Sequence, residues 1–152
     1  MAVRPVSLSL LLGLAAVLGG PPPAWADGHP LLVDARWLAG RRADSRVRIV
    51  DMVTEPEEYR KGHIPGAVYL NVNVDWTEHL RPDGTFKPLA ALRTLYVARG
   101  ITPDKTVVTY CQTQHRASHS YFVLRLLGYP HVVGYDRSWS EWGNREDLPI
   151  AR

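Results

Sequence analysis

The chain has 152 residues, of which 18 are Lys or Arg, 15 are Asp or Glu and 45% are hydrophobic, so that its formal net charge is +3. The basic residues are dispersed, and no aromatic residues on which bases could stack are interleaved with them. We therefore expect no nucleic-acid partner. Residues 27–152 are enough for a single domain with a real core and too few for two domains.

Residues 1–26 are predicted to be a signal peptide. Arg4 supplies the positive start, residues 6–19 are almost wholly apolar, and residues 24–26 (Ala-Trp-Ala) place small residues where a signal peptidase cleaves. The apolar run is shorter than the roughly 20 residues of a membrane span. We therefore expect cleavage before Asp27 and a periplasmic or secreted protein that does not stay in the membrane, with an uncleaved anchor as the alternative.

The remaining chain alternates short β-rich runs with helical patterns, which predicts an α/β fold with a parallel β-sheet flanked by helices. Thr54 is expected to cap the short helix that follows the strand at 47–52, with Pro56 in its first turn. Residues 71–88 lack a clean periodicity and contain an Asp-Gly turn signal, so they are expected to form a long crossover loop. The predicted elements in chain order are a short strand and helix within 31–40, a strand at 47–52, a helix up to 62, a strand at 67–70, a helix at 89–100, a strand at 106–110, a helix at 117–127, a strand at 131–135 and a short helix around 139–142.

Cys111, the only cysteine of the chain, directly follows the most strongly predicted strand and precedes a helix. The backbone N–H groups of such a loop converge on one point, and the helix N-terminus adds about +0.5 of an elementary charge there. This arrangement favours an anion, and the thiolate is the nucleophilic form of cysteine. The polar loop that follows (Gln112, Thr113, Gln114, His115 and Arg116) favours a reactive thiol over a cysteine that serves only as a small buried hydrophobe.

Two separated stretches carry a resemblance to a known family. The stretch V-T-Y-C-Q-T-Q-H-R-A-S, followed by L-L-G-Y-P-H-V-V-G-Y-D-R-S-W-S-E-W-G, closely resembles the active-site half of a rhodanese, or thiosulfate sulfurtransferase. Upstream, V-D-M-V-T-E-P-E-E-Y-R-K-G-H-I-P-G-A-V-Y-L-N is similar to the other signature of that family, and D-G-T-F-K-P lies between them. Two signatures in the expected order are far more specific than a cysteine-to-arginine loop alone.

The resemblance implies a single rhodanese domain over residues 27–152, with a three-layer α/β/α fold. It implies that Cys111 takes sulfur as a persulfide, that the amides of Gln112 to Arg116 hold this sulfur, and that Arg116 neutralises an anionic donor such as thiosulfate, whose sulfur passes to cyanide or a thiol. His115 is expected to orient the substrate or only to extend the positive rim. No cofactor and no metal is expected, because the histidines are dispersed and give no ligand spacing.

Two positions depart from the family pattern. Val53 stands two residues after Asp51, where the family often has an arginine, and Arg137 stands where it usually has a glycine before Ser-Trp. Neither change affects the nucleophile, but both bear on the substrate.

Two other activities use a similar loop. A dual-specificity phosphatase or arsenate reductase has five residues between cysteine and arginine, whereas four separate Cys111 from Arg116, which favours sulfur over phosphate. A non-catalytic binding or redox-sensing module is the other alternative, although such modules typically lose the cysteine. His63 is expected to be structural, His119 is given no role, and Trp139 and Trp142 are expected to pack, with one of them possible as a wall of the pocket.

Overall fold

Parallel strands form the central sheet of the computed structural model, which describes residues 31–53 and 55–152. Within these residues the sheet has five strands in the order β1-β5-β4-β2-β3, and every neighbouring pair is parallel. The elements in chain order are β1 (Leu32–Val33), α1 (Ala35–Arg41), β2 (Val47–Asp51), α2 (Pro56–Lys61), β3 (Val68–Tyr69), α3 (Val72–His79), α4 (Leu89–Val97), β4 (Thr106–Tyr110), α5 (Ala117–Leu126), β5 (Val132–Tyr135) and α6 (Ser138–Trp142).

The middle strand β4 shows why the sheet is covered on both faces. Val107 and Val108 are neighbours in sequence and both are fully buried, yet they belong to two different apolar clusters. Successive strand residues point to opposite faces, so each of these valines packs against a different helical layer. One layer contributes Leu92 of α4 and Val123 of α5, and the other contributes Leu38 of α1 and Trp142 of α6. The predicted three-layer α/β/α fold is therefore confirmed.

Most predicted elements lie within a residue or two of the observed ones, but the expected crossover loop at 71–88 is wrong in part. Residues 72–79 form the helix α3, which the apolar pattern did not indicate. The helix ends at His79, whose side chain is fully buried, with its ring 5.3 Å from that of Tyr96 and 5.2 Å from that of His119. Tertiary packing of this kind supports helices that have little amphipathic pattern of their own.

Two sequence-based predictions lie outside the described residues: the signal peptide at 1–26 and the capping role of Thr54. The described N-cap of α2 is Glu55, which makes no side-chain capping bond, and Pro56 opens the helix as predicted. No helix in the described part of the chain is both long enough and apolar enough to cross a membrane.

Candidate active site

Cys111 lies at the carboxyl end of the middle strand and is fully buried. Its carbonyl oxygen accepts a hydrogen bond from Trp139 N at 3.0 Å, and the carbonyl oxygen of Gln112 accepts one from Ser140 N at 3.0 Å. These bonds tie the beginning of the loop to α6. They also turn the first two carbonyl groups of the loop toward α6, where backbone N–H groups donate to them.

The backbone N–H groups of the loop remain available to an anion. In the described part of the chain, none of the N–H groups from Gln112 to His115 donates a hydrogen bond to a protein group. The loop leads directly into the ten-residue helix α5, which starts at Ala117. Successive backbone N–H groups that donate to no protein group, placed before a helix N-terminus, are a favourable environment for negative charge on sulfur or oxygen. The thiolate site at Cys111 stays a prediction, and these loop N–H groups are the structural feature that supports it.

Gln114 shapes the loop and does not project into the solvent. Its backbone has φ = +61°, and its carbonyl oxygen accepts a hydrogen bond from Ser118 N at 3.0 Å. Its buried side chain turns back under the loop, where Nε2 donates to Thr109 Oγ1 at 2.9 Å. Gly134 of β5 makes room for it, since a Cβ atom at that position would lie 2.6 Å from Gln114 Nε2. The backbone N–H of Gln114 can therefore donate to a substrate, whereas its side-chain amide is turned away from one.

A cavity of about 160 Å³ opens beside the loop, and we call it the loop cavity. It lies where the carboxyl ends of β2 and β4 meet, the usual place for ligands in parallel α/β sheets. The loop contributes Gln112 and Arg116 to the lining, whereas Thr113 and His115 are exposed outside it. The full lining consists of Asp51, Val53, Glu55, Glu58, Gly62, Gln112, Arg116 and Trp139.

Asp51 is a buried acid in the lining of the loop cavity, and the residue is 1% exposed. The Tyr110 hydroxyl donates to Asp51 Oδ2, and Val53 N donates to Oδ1 at 3.2 Å. Burial raises the pKa of Asp51 to about 6, although both hydrogen bonds and the positive charge of Arg116 oppose the shift. The same burial, together with the charge of Asp51, raises the pKa of Tyr110 well above its usual value. The floor of the loop cavity thus contains an acid that titrates near neutral pH.

Trp139 forms a wall of the loop cavity and is held between two glycines. A Cβ atom at Gly143 would lie 2.6 Å from the indole, and one at Gly62 would lie 3.2 Å from it. The indole can occupy this place because Gly143 lacks a side chain, and a Cβ atom at Gly62 would press on it more weakly. Trp142, by contrast, is fully buried in the core, so the two tryptophans have different roles.

Two histidines near the loop are explained by packing. His63 stacks on Tyr59 with ring centroids 3.8 Å apart, and its backbone pairs with Ala151. His119 lies one turn into α5, where its Nε2 is 3.0 Å from Nδ1 of His79. The first arrangement agrees with the structural role predicted for His63. Among residues 31–53 and 55–152, no three His, Cys, Asp or Glu side chains are grouped to hold a metal ion.

Sequence reasoning missed the contribution of the β2 end and of α2 to the cavity. Asp51 is paired in register with Tyr110, so its position next to the start of the Cys111 loop follows from strand pairing. Glu55, Glu58 and Gly62 reach the cavity only through the tertiary path of α2. The pairing of two parallel strand ends was the one signal from which Asp51 could have been found.

Comparison with known proteins identifies relatives of the whole described domain. A family model described as the rhodanese-like domain matches residues 34–145. The chain is 47% identical over 129 residues to the sulfur carrier protein TtuD of Thermus thermophilus, covering 83% of this chain and 42% of that protein. It is 37% identical over 143 residues to a thiosulfate sulfurtransferase of Pseudomonas aeruginosa, covering 89% of this chain and 51% of that protein. The chain thus spans about half the length of these relatives.

Solved structures show the same fold. An anaerobic ergothioneine biosynthesis enzyme from Chlorobium limicola, in complex with trimethyl histidine, is similar with a TM-score of 0.67 and 25% identity, over 78% of this chain and 31% of that one. EanB with a persulfide on a cysteine is similar with a TM-score of 0.69 and 25% identity, over the same shares of the two chains.

Proposed function

Because this chain belongs to the rhodanese-like domain family, we propose that it is a sulfurtransferase that carries sulfane sulfur as a persulfide on Cys111. Thiosulfate or a related compound is the donor, and cyanide or a thiol is the acceptor. One observation carries the proposal. The thiol of Cys111 lies at the end of β4 and is enclosed by a loop in which the N–H groups of Gln112 to His115 donate to no protein group. Thiosulfate sulfurtransferases among the relatives of this chain support the same activity.

The first half-reaction loads the protein. The Cys111 thiolate attacks the outer sulfur of thiosulfate, the S–S bond of thiosulfate breaks, and sulfite leaves with the bonding electron pair. The charge balances, because one monoanion and one dianion give a persulfide anion and sulfite. The loop amides stabilise the negative charge on the transferred sulfur, and Arg116 attracts the anionic donor with a planar group suited to an oxyanion.

The second half-reaction returns the thiolate. Cyanide or an acceptor thiolate attacks the outer sulfur of the persulfide, the S–S bond to Cys111 breaks, and thiocyanate or a new persulfide is released. Donor and acceptor react with the same cysteine in turn, so ping-pong kinetics are expected. No oxidant or reductant enters either step.

The retained Cys111, with loop N–H groups that donate to no protein group, weighs against a non-catalytic module, because such modules typically lose the cysteine. The four-residue spacing to Arg116 likewise weighs against a phosphatase.

The experiment that tests the proposal measures the intact mass of the protein after incubation with thiosulfate and removal of the excess. We expect the mass to increase by one sulfur atom, and we expect cyanide to remove that atom as thiocyanate. Cys111→Ser serves as the control and should gain nothing. Sulfur loading that persists in Cys111→Ser would refute the proposed nucleophile, and a wild-type protein that takes no sulfur from thiosulfate or from mercaptopyruvate would refute the activity.

We also propose that the protein acts outside the cytoplasm after removal of residues 1–26. The apolar run at 6–19 and the Ala-Trp-Ala sequence at 24–26 support this location. N-terminal sequencing of the protein recovered from a bacterial periplasmic fraction should begin at Asp27. Recovery of the uncleaved chain with the membrane fraction would contradict it.

A further inference from the structure

The loop cavity combines a cation with carboxylates from separate elements. Arg116 comes from the loop before α5, whereas Glu55 and Glu58 come from the beginning of α2. An exclusively anionic ligand would be attracted by the loop and repelled by α2. The lining therefore has a positive side and a negative side, and the negative side is not required for the transfer of sulfur from thiosulfate.

Two exposed glutamates, the N-cap Glu55 and Glu58 of α2, lie at the rim of the loop cavity. Glu55 is exposed and forms no ion pair with any residue of the described chain. Glu58 forms an ion pair with Lys61 at 2.8 Å, but both side chains are more than half exposed, so solvent screens this pair. Asp51, which lies below them, is already partly neutral near pH 6. The rim is thus an acidic surface beside an anion-binding loop.

The size of the cavity limits what can bind there. Its volume of about 160 Å³ is well below the roughly 300–1,000 Å³ of pockets for drug-sized ligands. A small acceptor fits within this volume, whereas a drug-sized ligand would extend out of the cavity into solvent.

From this arrangement we infer that the preferred acceptor is a small thiol that carries an ammonium group, and that Glu55 and Glu58 are specificity-determining residues for it. This inference rests on the proposed sulfur transfer. The acceptor thiolate is attracted by the loop amides and Arg116, while its ammonium group is attracted by the two glutamates. The thiolate attacks the outer sulfur of the Cys111 persulfide, the S–S bond to Cys111 breaks, and the acceptor leaves as a persulfide. A thiol that carries a carboxylate meets the same rim with the wrong charge.

The test uses single-turnover discharge of the full-length protein, loaded with thiosulfate and freed of donor. Cysteamine, 2-mercaptoethanol and thioglycolate are supplied at equal thiolate concentration, and intact mass reports the loss of the sulfur. The measured quantity is the ratio of the discharge rate constants for cysteamine and thioglycolate. Glu55→Gln and Glu58→Gln should each lower this ratio about two- to tenfold, because each removes one charge that acts with opposite sign on the two thiols.

Glu57→Gln is the matched control. Glu57 lies on the same helix, is exposed and pairs with Arg60, but it does not line the loop cavity. Its substitution should leave the ratio at the wild-type value, and the wild-type ratio should fall as NaCl is added.

The outcomes separate the two proposals. If cyanide discharges the loaded protein but the ratio is the same in wild type, Glu55→Gln and Glu58→Gln, the acceptor class is wrong and the sulfurtransferase stands. An equal decrease in Glu57→Gln would also overturn the assignment, because a general surface charge would then explain it. A protein that never loads overturns the proposed function, and the acceptor inference with it.

Discussion

Asp51 makes the stability of the protein depend on pH in a direction opposite to that of most carboxylates. Burial raises its pKa from 3.8 to about 6 in the folded state. A raised folded pKa means that the folded state binds the proton more tightly than the unfolded state. The stabilising contribution is therefore fully present below about pH 4 and is lost as the pH rises through 6.

The magnitude follows from the two pKa values. A shift of about 2 units corresponds to about 3 kcal/mol over the whole titration, at 1.36 kcal/mol per unit. Between pH 5 and pH 8 the free energy of unfolding should decrease by about 1 kcal/mol of this amount. The wild type contains other titrating groups, so the useful quantity is the difference from a variant in which only this acid is removed.

Asp51→Asn removes the titration and keeps the shape of the side chain. Because Tyr110 and Val53 both donate to the carboxylate, the amide can satisfy only one of them, and a cost that does not depend on pH is expected. Urea unfolding of both proteins at pH 5 and pH 8 should show that the wild type loses about 1 kcal/mol more of its free energy of unfolding than the variant does. Asp147→Asn is the control, since Asp147 is exposed and Arg145 lowers its pKa. The free energy of unfolding of this variant should change between pH 5 and pH 8 as that of the wild type does. A wild type and an Asp51→Asn variant with parallel pH profiles would refute the reasoning.

Three further predictions concern the loop and its wall. Arg116→Lys should slow loading by thiosulfate about ten- to a hundredfold in a stopped assay of sulfite release, because a point charge replaces a planar group that matches an oxyanion. Gly143→Ala should displace the indole of Trp139, since the new Cβ would lie 2.6 Å from it, and should lower kcat/KM for thiosulfate with a change in tryptophan fluorescence. Cys111 should react with iodoacetamide far more slowly in the folded protein than in urea, and a bulkier maleimide should show a larger ratio of the two rates, because the thiol is fully buried.

Each of these predictions has an outcome that contradicts it. Loading by Arg116→Lys at the wild-type rate would show that the guanidinium does not contact the donor. For Gly143→Ala, an unchanged fluorescence spectrum would mean that the ring tolerates the added methyl group, and Gly40→Ala, where no atom lies within 4 Å, is the matched control. Equal alkylation rates in folded and unfolded protein would show that Cys111 is accessible.

The middle of the fold was predictable because its local and tertiary signals agree. Residues 106–110 are β-branched and aromatic, and the structure buries Val107, Val108 and Tyr110 completely. The same agreement places Cys111 at the strand end and α5 after the loop. Helix α3 was not predictable, because the contact that ends it, between His79 and His119, joins segments 40 residues apart.

The loop cavity was only half predictable for the same physical reason. The residues from the loop are contiguous in sequence, and their spacing to Arg116 can be read directly. Glu55 and Glu58 reach the cavity through the path of α2, and no periodicity encodes that path. The side chain of Gln114 turns away from the cavity because Gly134, on a later strand, leaves space for it.

The hydrogen bonds from Trp139 and Ser140 to the carbonyl groups of Cys111 and Gln112 have a consequence for the order in which the protein is built. The segment that fixes the carbonyls of the loop leaves the ribosome after the loop itself. During synthesis the cysteine is therefore present before its surroundings are complete, and a chain interrupted before α6 carries the thiol in a loop without its fixed shape. Residues 138–142 thus belong to the surroundings of Cys111 although they follow it by more than 25 positions, and a truncation that removes α6 should leave the carbonyl groups of Cys111 and Gln112 without these two donors.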